Sequence, residues 1–392
     1  MFVRTGTGRG TVPLEKERDM IGIDIRFMTR DMQDGIISSG VGLFCAEVLS
    51  GMKEADRKGI VLIVNSDQRK TAGKLFGEYN VIEFNPLNRG KYRKDLREID
   101  ERRYDRFLKM HRIRCLWIPF ANPHHFYSVS IPVISTIHDL ITIRNDPDNL
   151  PWKREFQNII EKSRNIITVS DYVRKDILRK FESTDPNKIT VIPCPVVVGE
   201  ETEEVSELKE RDYILDVNAF LKRKNAVTLL RAYALSGLSS RCDLVFCGGY
   251  YREDVLEEFK KATAELGLEE KVHIYLAVSI RKRNWLLKNA VMLVSPSLSE
   301  GFGRTPVEAA ICKIPVITSI SDSLTEATLG MVHYYREAEN AEQLSTVLTE
   351  LYDNPPAEKE LKRISAAMKE RYDPDRIAAA YMSLFRQYDT GE

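Results

Sequence analysis

Residues 295–319 read SPSLSEGFGRTPVEAAICKIPVITS. An apolar run ends near Ser295, a turn with Gly301 and Gly303 follows, and Pro306 stands in the first turn of a predicted helix, where its missing N–H costs little. The order of strand, glycine turn and helix predicts that free backbone N–H groups point out of the helix start. Such a helix start is suited to bind an anion, for example a phosphate.

Two carboxylates flank this turn. Glu300 and Glu308 have seven residues between them. An ionised carboxylate can accept hydrogen bonds from both hydroxyls of a vicinal diol, so each could hold a sugar or a ribose. Taken alone, each residue also fits the commoner role of a glutamate on an exposed surface.

The rest of the chain alternates short, β-rich apolar runs with amphipathic helical stretches. This alternation is typical of βαβ units that build a parallel sheet, so we expect an α/β protein. Open α/β sheets bind ligands at the carboxyl ends of their strands, which places the predicted site in a cleft between two domains. The expected strands span 21–28, 60–66, 81–85, 115–120, 133–139, 165–170 and 189–196, and then 213–220, 244–248, 272–278, 291–295, 315–319 and 331–335.

The series of strands restarts after the acidic segment VVVGEETEEVSELKERD, which predicts a linker over 199–211. We therefore expect two doubly wound, Rossmann-like domains, one over 21–198 and one over 212–372. Residues 1–20 are expected to form a loose tail. Residues 373–392 are expected to form a C-terminal helix, with a return to the N-terminal domain as one option for its packing.

Composition argues against several classes of protein. The 392 residues hold 58 Lys+Arg and 58 Asp+Glu, so no overall positive charge supports nucleic-acid binding. No apolar run approaches the roughly 18 residues of a membrane span, and residues 1–20 lack the apolar centre of a secretory signal, which favours a cytoplasmic location. Six scattered cysteines without a Cys-x-x-Cys pair indicate reduced thiols.

No metal site is expected. His124 and His125 are adjacent, so they point to opposite faces of an extended chain. No cysteine or carboxylate cluster stands beside them to complete a set of ligands.

The stretch EGFGRTPVEA, followed by PVITS, closely resembles the signature of family-4 retaining glycosyltransferases, in which seven residues separate two glutamates. That family has the GT-B fold of two facing Rossmann-like domains with a cleft between them. The resemblance implies that the domain over 21–198 lies on the acceptor side and that the domain over 212–372 binds the nucleotide-sugar donor. Further segments resemble the family's other signatures in the family's order, which argues against coincidence. They are GVGLF at 40–44, HDL at 138–140, typical of the mannosyltransferase-like branch, NIITVSDYVRKDI at 165–177 and VNAFLKRKNAVTLLRAYA at 217–234.

The resemblance implies a role for each matching residue. Glu300 would orient the sugar hydroxyls, His138 would lie beside the reacting carbon, and Lys224 would take up charge on the departing diphosphate. Arg304 would either add charge at the pyrophosphate or face solvent. The expected donor-binding residues are Arg223, Gly301, Phe302, Gly303, Arg304, Thr305 and Glu308, the last of these for the ribose, and Gly40 and Gly42 are expected near a phosphate or the acceptor.

The resemblance predicts a retaining enzyme that moves a hexose from a nucleotide diphosphate sugar to a saccharide or lipid-linked saccharide, with GDP-mannose favoured as donor. It implies no cofactor and no metal. Two alternatives stay open, a GT-B epimerase or phosphorylase and a non-catalytic nucleotide-sugar-binding partner subunit. The second is open because Ala219 and Cys194-Pro195 depart from the family pattern. Lys313 also stands where the family has glycine, a departure that we interpret as structural.

A basic segment runs from Arg89 to Arg114 and holds 11 Lys+Arg against 5 Asp+Glu. Apolar residues recur in it at roughly helical spacing. One hypothesis is that this helix lies on an anionic membrane and brings the enzyme to a lipid-linked acceptor. The alternative is a solvated helix of mixed charge.

Overall fold

A computed structural model describes residues 19–388 apart from residues 36, 38, 88–93, 123–124, 147, 218–219 and 250. The predicted loose tail therefore lies outside the described residues, except for its last two positions. His124, Ala219 and the first five residues of the basic segment also lie outside them.

The N-terminal domain is built on a sheet of seven parallel strands. The strands are β1 (Met20–Asp24), β2 (Ile60–Val64), β3 (Asn80–Glu83), β4 (Ile113–Ile118), β5 (Val133–Ile137), β6 (Asn165–Thr168) and β7 (Ile189–Val191). Their order across the sheet is β3-β2-β1-β4-β5-β6-β7. The strands are added toward one edge from β1 to β3 and toward the other edge from β4 to β7, so the topological switch point lies between β1 and β4. The helices are α1 (Thr29–Asp34), α2 (Gly40–Ser50), α3 (Glu54–Arg57), α4 (Arg69–Leu75), α5 (Lys94–Met110), α6 (Ile141–Asn145), α7 (Leu150–Lys162) and α8 (Asp171–Lys180).

The C-terminal domain repeats this plan with six parallel strands. The strands are β8 (Tyr213–Val217), β9 (Asp243–Gly248), β10 (Val272–Leu276), β11 (Met292–Ser295), β12 (Val316–Ser319) and β13 (His333–Tyr335), in the order β10-β9-β8-β11-β12-β13. The helices of this domain are α9 (Ala226–Ser236), α10 (Glu253–Glu265), α11 (Ile280–Asn289), α12 (Arg304–Ile311), α13 (Leu324–Ala327), α14 (Ala341–Asp353) and α15 (Glu358–Arg371), and α16 (Pro374–Arg386) comes after them in the chain. The two sheets confirm the predicted α/β architecture of two facing Rossmann-like domains.

Each predicted strand has a counterpart in the sheets, but several predicted strands extend too far at their carboxyl ends. The strand that was predicted over 21–28 ends at Asp24, and the strand that was predicted over 213–220 ends at Val217. Ile25, Met28 and Phe220 are nevertheless fully buried. Their apolar character reflects burial in the loops that follow the strands, which a sequence pattern does not distinguish from pairing in a sheet.

The chain crosses between the domains twice, first near Val196 and again near Tyr372, and the two crossings lie next to each other. The N–H of Val196 donates to the carbonyl of Tyr372 over 3.0 Å, which ties the first crossing to the second. After the second crossing, α16 packs on the N-terminal domain. The ring of Tyr381 lies 4.7 Å from that of Trp117, and a Cβ on Gly51, the C-cap of α2, would come within 2.2 Å of the carbonyl of Pro374.

Two further predictions concern the chain as a whole. All six cysteines are free thiols, and five of them are buried. None of the helices that the structure describes combines the length and the apolar character that a membrane span requires.

Candidate active site

A cavity of about 730 Å³ lies between the two domains, a volume in the range of small-molecule sites. Its walls come from the carboxyl ends of strands in both sheets. Phe120 and His138 follow β4 and β5 in the N-terminal domain, whereas Val217 and Ser295 end β8 and β11 in the C-terminal domain. This is where open α/β sheets place their ligands.

Ten of the twelve predicted site residues line this cavity. They are Gly40, His138, Lys224, Glu300, Gly301, Phe302, Gly303, Arg304, Thr305 and Glu308. Arg223 stands behind Glu300, and its Nη1 lies 3.3 Å from the Glu300 Oε2 atom.

Gly42 does not line the cavity. A Cβ at this position would lie 2.3 Å from the Asp31 Oδ2 atom and 2.7 Å from the Ser39 Oγ atom. Asp31 accepts from the Ser39 hydroxyl over 2.6 Å, and that hydroxyl accepts from the N–H of Gly42. The glycine therefore makes room for the N-cap of α2.

On the C-terminal side of the cavity, two cationic side chains surround Glu300. Its carboxylate accepts from the ammonium group of Lys224 and lies beside Arg223. Only 12% of the Glu300 side chain is exposed. Burial favours the neutral acid, but the charges of Lys224 and Arg223 outweigh burial and lower the pKa of Glu300. The site thus holds an ionised carboxylate and a cation at one wall of the cavity.

Glu308 is buried between two arginines. It accepts from Arg283, and its Oε1 accepts from the Arg304 Nε over 2.7 Å. Burial opposes ionisation, but these two guanidinium groups outweigh it and lower the pKa of Glu308. Glu308 is therefore an ionised acceptor at the cavity wall.

One of the two predictions for Arg304 was that its side chain faces solvent. The structure shows that it does not. From the start of α12 it reaches across the cleft to Glu47 of α2, with 2.7 Å between its Nη1 and the Glu47 Oε2 atom. Its Nη1 also donates to the carbonyl of Pro195, in the first crossing between the domains. Arg304 thus joins Glu308, the crossing and the N-terminal domain.

His138 faces these groups from the N-terminal domain. Its Nε2 lies 2.8 Å from the carbonyl of Pro119. A carbonyl only accepts, so Nε2 carries the proton and Nδ1 is the acceptor nitrogen of a neutral ring. Burial lowers the pKa of His138, which keeps the ring neutral near pH 7.

Two glycines allow the loop after β11 to approach its neighbours closely. A Cβ on Gly301 would lie 2.1 Å from the carbonyl oxygen of His138, across the cleft. Gly303 has a φ of +93°, and a Cβ there would lie 2.5 Å from Leu324. Both positions require glycine, the first for contact between domains and the second also for its backbone conformation.

Several cavity residues escaped the sequence analysis. Phe27 and Phe120 form an aromatic pair with 5.8 Å between ring centroids, Gly248 ends β9, and Gly249 follows it. The glycine pair at the end of a buried strand was a usable signal, because ligands bind at strand ends. Arg283 lies inside α11, and no local pattern distinguishes it from the exposed basic residues around it. Within the described part of the chain, no group of three or more metal-ligating side chains is found.

Two family models match adjacent parts of this chain. The model described as Glycosyltransferase Family 4 matches residues 39–200, and the model described as Glycosyl transferases group 1 matches residues 198–371. They meet at the first crossing between the two domains.

Curated relatives are similar over part of their length. The O-antigen chain mannosyltransferase RfbU of Salmonella typhimurium is 28% identical over 200 residues, which cover 50% of this chain and 54% of RfbU. The alpha-maltose-1-phosphate synthase of Mycobacterium tuberculosis is 27% identical over 235 residues, which cover 52% of this chain and 59% of the synthase. The chain thus spans little more than half the length of these curated relatives.

Solved structures share the fold over almost the whole chain. A glycosyltransferase from Rickettsia africae has a TM-score of 0.73 at 15% identity and covers 96% of this chain and 100% of its own. Anabaena HepE in complex with UDP-glucose has a TM-score of 0.72 at 12% identity and covers 94% of this chain and 99% of its own. Together with the two family models and the cleft geometry, these likenesses show that the chain belongs to the family-4-like glycosyltransferases of GT-B fold.

Proposed function

We propose that the protein is a retaining glycosyltransferase that moves a hexose from a nucleotide diphosphate sugar to a hydroxyl group of a saccharide or lipid-linked saccharide. The observation that carries the proposal is the pairing of Glu300 with Lys224 at a helix start that faces His138 across one cavity. Such a site offers a carboxylate for sugar hydroxyls, cationic and N–H donors for a diphosphate, and a neutral imidazole opposite them.

The C-terminal domain is the proposed donor side. Glu308 would accept hydrogen bonds from the ribose hydroxyls, and Glu300 from the hydroxyls of the transferred sugar. Lys224 and the first N–H groups of α12 would bind the diphosphate, since the first turn of a helix has N–H groups without intrahelical acceptors. The ion pair with Glu300 holds the Lys224 ammonium at the cavity wall before a donor arrives.

In the proposed reaction, the bond between the anomeric carbon and the diphosphate oxygen breaks, and its electron pair leaves with the diphosphate. Lys224 and the α12 amides stabilise the charge that develops there. The acceptor oxygen bonds to the anomeric carbon on the same face, and its proton passes to an oxygen of the departing phosphate. His138 would position the sugar at this carbon. Closure of the two domains excludes water that would otherwise hydrolyse the donor.

Mannose is the proposed sugar, with GDP-mannose as donor. RfbU is a mannosyltransferase by name, as is the alpha-1,3/1,6-mannosyltransferase ALG2 of Dictyostelium discoideum, which is 31% identical over 126 residues, 28% of this chain and 30% of its own length. The His138-Asp139-Leu140 segment supports the same choice. HepE was crystallised with UDP and UDP-glucose, so uridine donors are the competing candidates.

The test measures thermal stabilisation of the protein by GDP, UDP, dTDP and ADP and by their sugar conjugates, followed by turnover of each stabilising conjugate. We expect GDP-mannose to stabilise the wild type, Glu308→Gln to lose most of that shift, and slow release of mannose without acceptor. Stabilisation without any turnover would instead identify a non-catalytic binding subunit. If no nucleotide shifts the melting temperature, the proposal is wrong.

A further inference from the structure

Arg144 lies in the last turn of α6, six residues after His138. Both residues therefore belong to the short segment that follows β5 and faces the C-terminal domain. Arg144 does not line the cavity. Its side chain is only 15% exposed. A charged side chain that is buried to this extent usually has a partner of opposite charge.

The partners of Arg144 come from both domains. Its guanidinium group pairs across the cleft with Asp322, whose side chain is 14% exposed. On its own domain, Nη1 donates to the Tyr172 hydroxyl over 2.8 Å, and Nε lies 3.5 Å from the Asp176 Oδ2 atom. These contacts anchor the guanidinium group on the N-terminal side and aim it at Asp322.

Asp322 in turn holds the loop that carries Glu300. Its Oδ2 atom accepts from the backbone N–H of Glu300 over 3.0 Å and from the Ser299 hydroxyl over 2.7 Å. The same oxygen accepts from Arg144. One carboxylate oxygen therefore connects an arginine of one domain to the main chain of a site residue in the other.

We propose that Arg144 is a positioning residue that, through Asp322, fixes the backbone of Glu300 in register with His138 when the domains are closed. The inference rests on the proposed function. Because His138 and Arg144 belong to one segment, the pair with Asp322 sets where Glu300 stands relative to the imidazole. The contact of Gly301 with the carbonyl of His138 is the second point of that register.

Charge explains why Arg144 is needed. Asp322 and Glu300 are two carboxylates on neighbouring loops, and Arg144 balances the first as Lys224 balances the second. Without Arg144, closure would bury the Asp322 carboxylate against the N-terminal domain without a cation, which is unfavourable. The closed arrangement would become less stable, and Glu300 would be held less firmly in place. The proposed nucleotide contacts lie in the C-terminal domain and would remain.

The test uses the full chain with Arg144→Met, which keeps the length of the side chain and removes its charge. We expect kcat for sugar transfer to fall about 30-fold, since small displacements of reacting groups cost factors of that order. The Kd for the nucleoside diphosphate should stay within about twofold of wild type. Arg154→Met, a change of an exposed arginine on α7, is the matched control and should alter neither value.

A second measurement needs no substrate. Amide hydrogen exchange of the ligand-free protein should rise over 299–303 in Arg144→Met, because Asp322 then holds the Glu300 N–H less firmly. Asp322→Asn should reproduce both effects, and the double variant should lose little more than either single variant. Arg144→Lys should recover part of kcat.

Unchanged exchange over 299–303 in both Arg144→Met and Asp322→Asn would overturn the inference, whatever the turnover. A parallel loss of kcat and nucleotide affinity in both variants would also overturn it, because that pattern indicates general unfolding. If the wild type binds no nucleoside diphosphate, the proposed function fails, and the exchange measurement still decides whether Arg144 positions Glu300.

Discussion

Arg304 of α12 donates to Glu47 of α2 across the cleft, and the same guanidinium group donates to Glu308 on its own helix. Glu47 and Glu308 are thus two carboxylates of different domains that share one cation. The side chains of Arg304 and Glu47 are 16% and 12% exposed, so water screens their attraction weakly.

Glu47→Gln should therefore destabilise the closed arrangement. The amide keeps the shape but loses the charge that Arg304 meets, and hydrogen bonds to charged groups contribute about 2 kcal/mol. We expect a lower melting temperature and a larger radius of gyration by small-angle scattering. Glu54→Gln on α3, where the side chain is 87% exposed, is the matched control and should change neither. An unchanged radius and melting temperature in Glu47→Gln would show that the pair does not hold the domains together.

Gly301→Ala should separate the domains by a different route. The new Cβ would lie 2.1 Å from the carbonyl oxygen of His138, closer than van der Waals contact allows. Because this obstacle is backbone, relief requires movement of one domain, and we expect transfer to fall at least about 100-fold. Gly73→Ala, where a Cβ on α4 meets nothing within 4 Å, should leave the rate unchanged. Wild-type activity in Gly301→Ala would mean that turnover does not need this closed contact.

Acid should weaken the protein partly through Glu308. Its pKa is lowered below the ordinary value of 4.5 by Arg283 and Arg304, which outweigh burial. A lowered pKa stabilises the fold fully above the unfolded value, and this stabilisation disappears as the pH falls through the folded value. The melting temperature of the wild type should therefore exceed that of Glu308→Gln at pH 7, by the equivalent of about 3 kcal/mol. The gap should narrow below about pH 4.5. A gap that stays constant between pH 7 and pH 3 would contradict this account.

Lys313 carries backbone strain that glycine would remove. It follows the last residues of α12 with a φ of +64°, the left-handed region in which glycine is favoured. Its side chain is exposed, so Lys313→Gly should raise stability by about 1 kcal/mol through the backbone alone. Lys313→Ala keeps the Cβ and serves as the control, with no gain expected. Thermal unfolding measures both, and equal melting temperatures would show that the strain is negligible.

The basic helix α5 offers a test of membrane contact. Arg102, Arg106 and Lys109 are exposed on it, and Met110 is 70% exposed at its end. If this face lies on lipid, the wild type should cosediment with vesicles of anionic phospholipid more than with neutral vesicles. Arg102→Gln with Arg106→Gln should reduce that excess, whereas Lys153→Gln with Arg154→Gln on α7 should not. Equal sedimentation with both lipids would leave α5 as a solvated helix.

Much of the fold followed from local pattern. The alternation of buried strands and amphipathic helices predicted the strands of both sheets, because periodicity records which side of each element is covered. The glycine turn at 301–303 and the two glutamates predicted part of the cavity lining. Strand ends were less accurate, since Ile25 and Phe220 are buried just beyond the ends of β1 and β8.

The sequence by itself determined the fold class, the cleft and the residues that surround it, because those depend on spacing along short segments. Only the tertiary structure decided which charges meet. Arg304 pairs with a residue 257 positions away, and Arg144 with one 178 positions away. The reason is physical: a charged side chain looks the same in sequence whether it faces water or an opposite charge. Its partner is fixed only where the two domains meet in the folded chain.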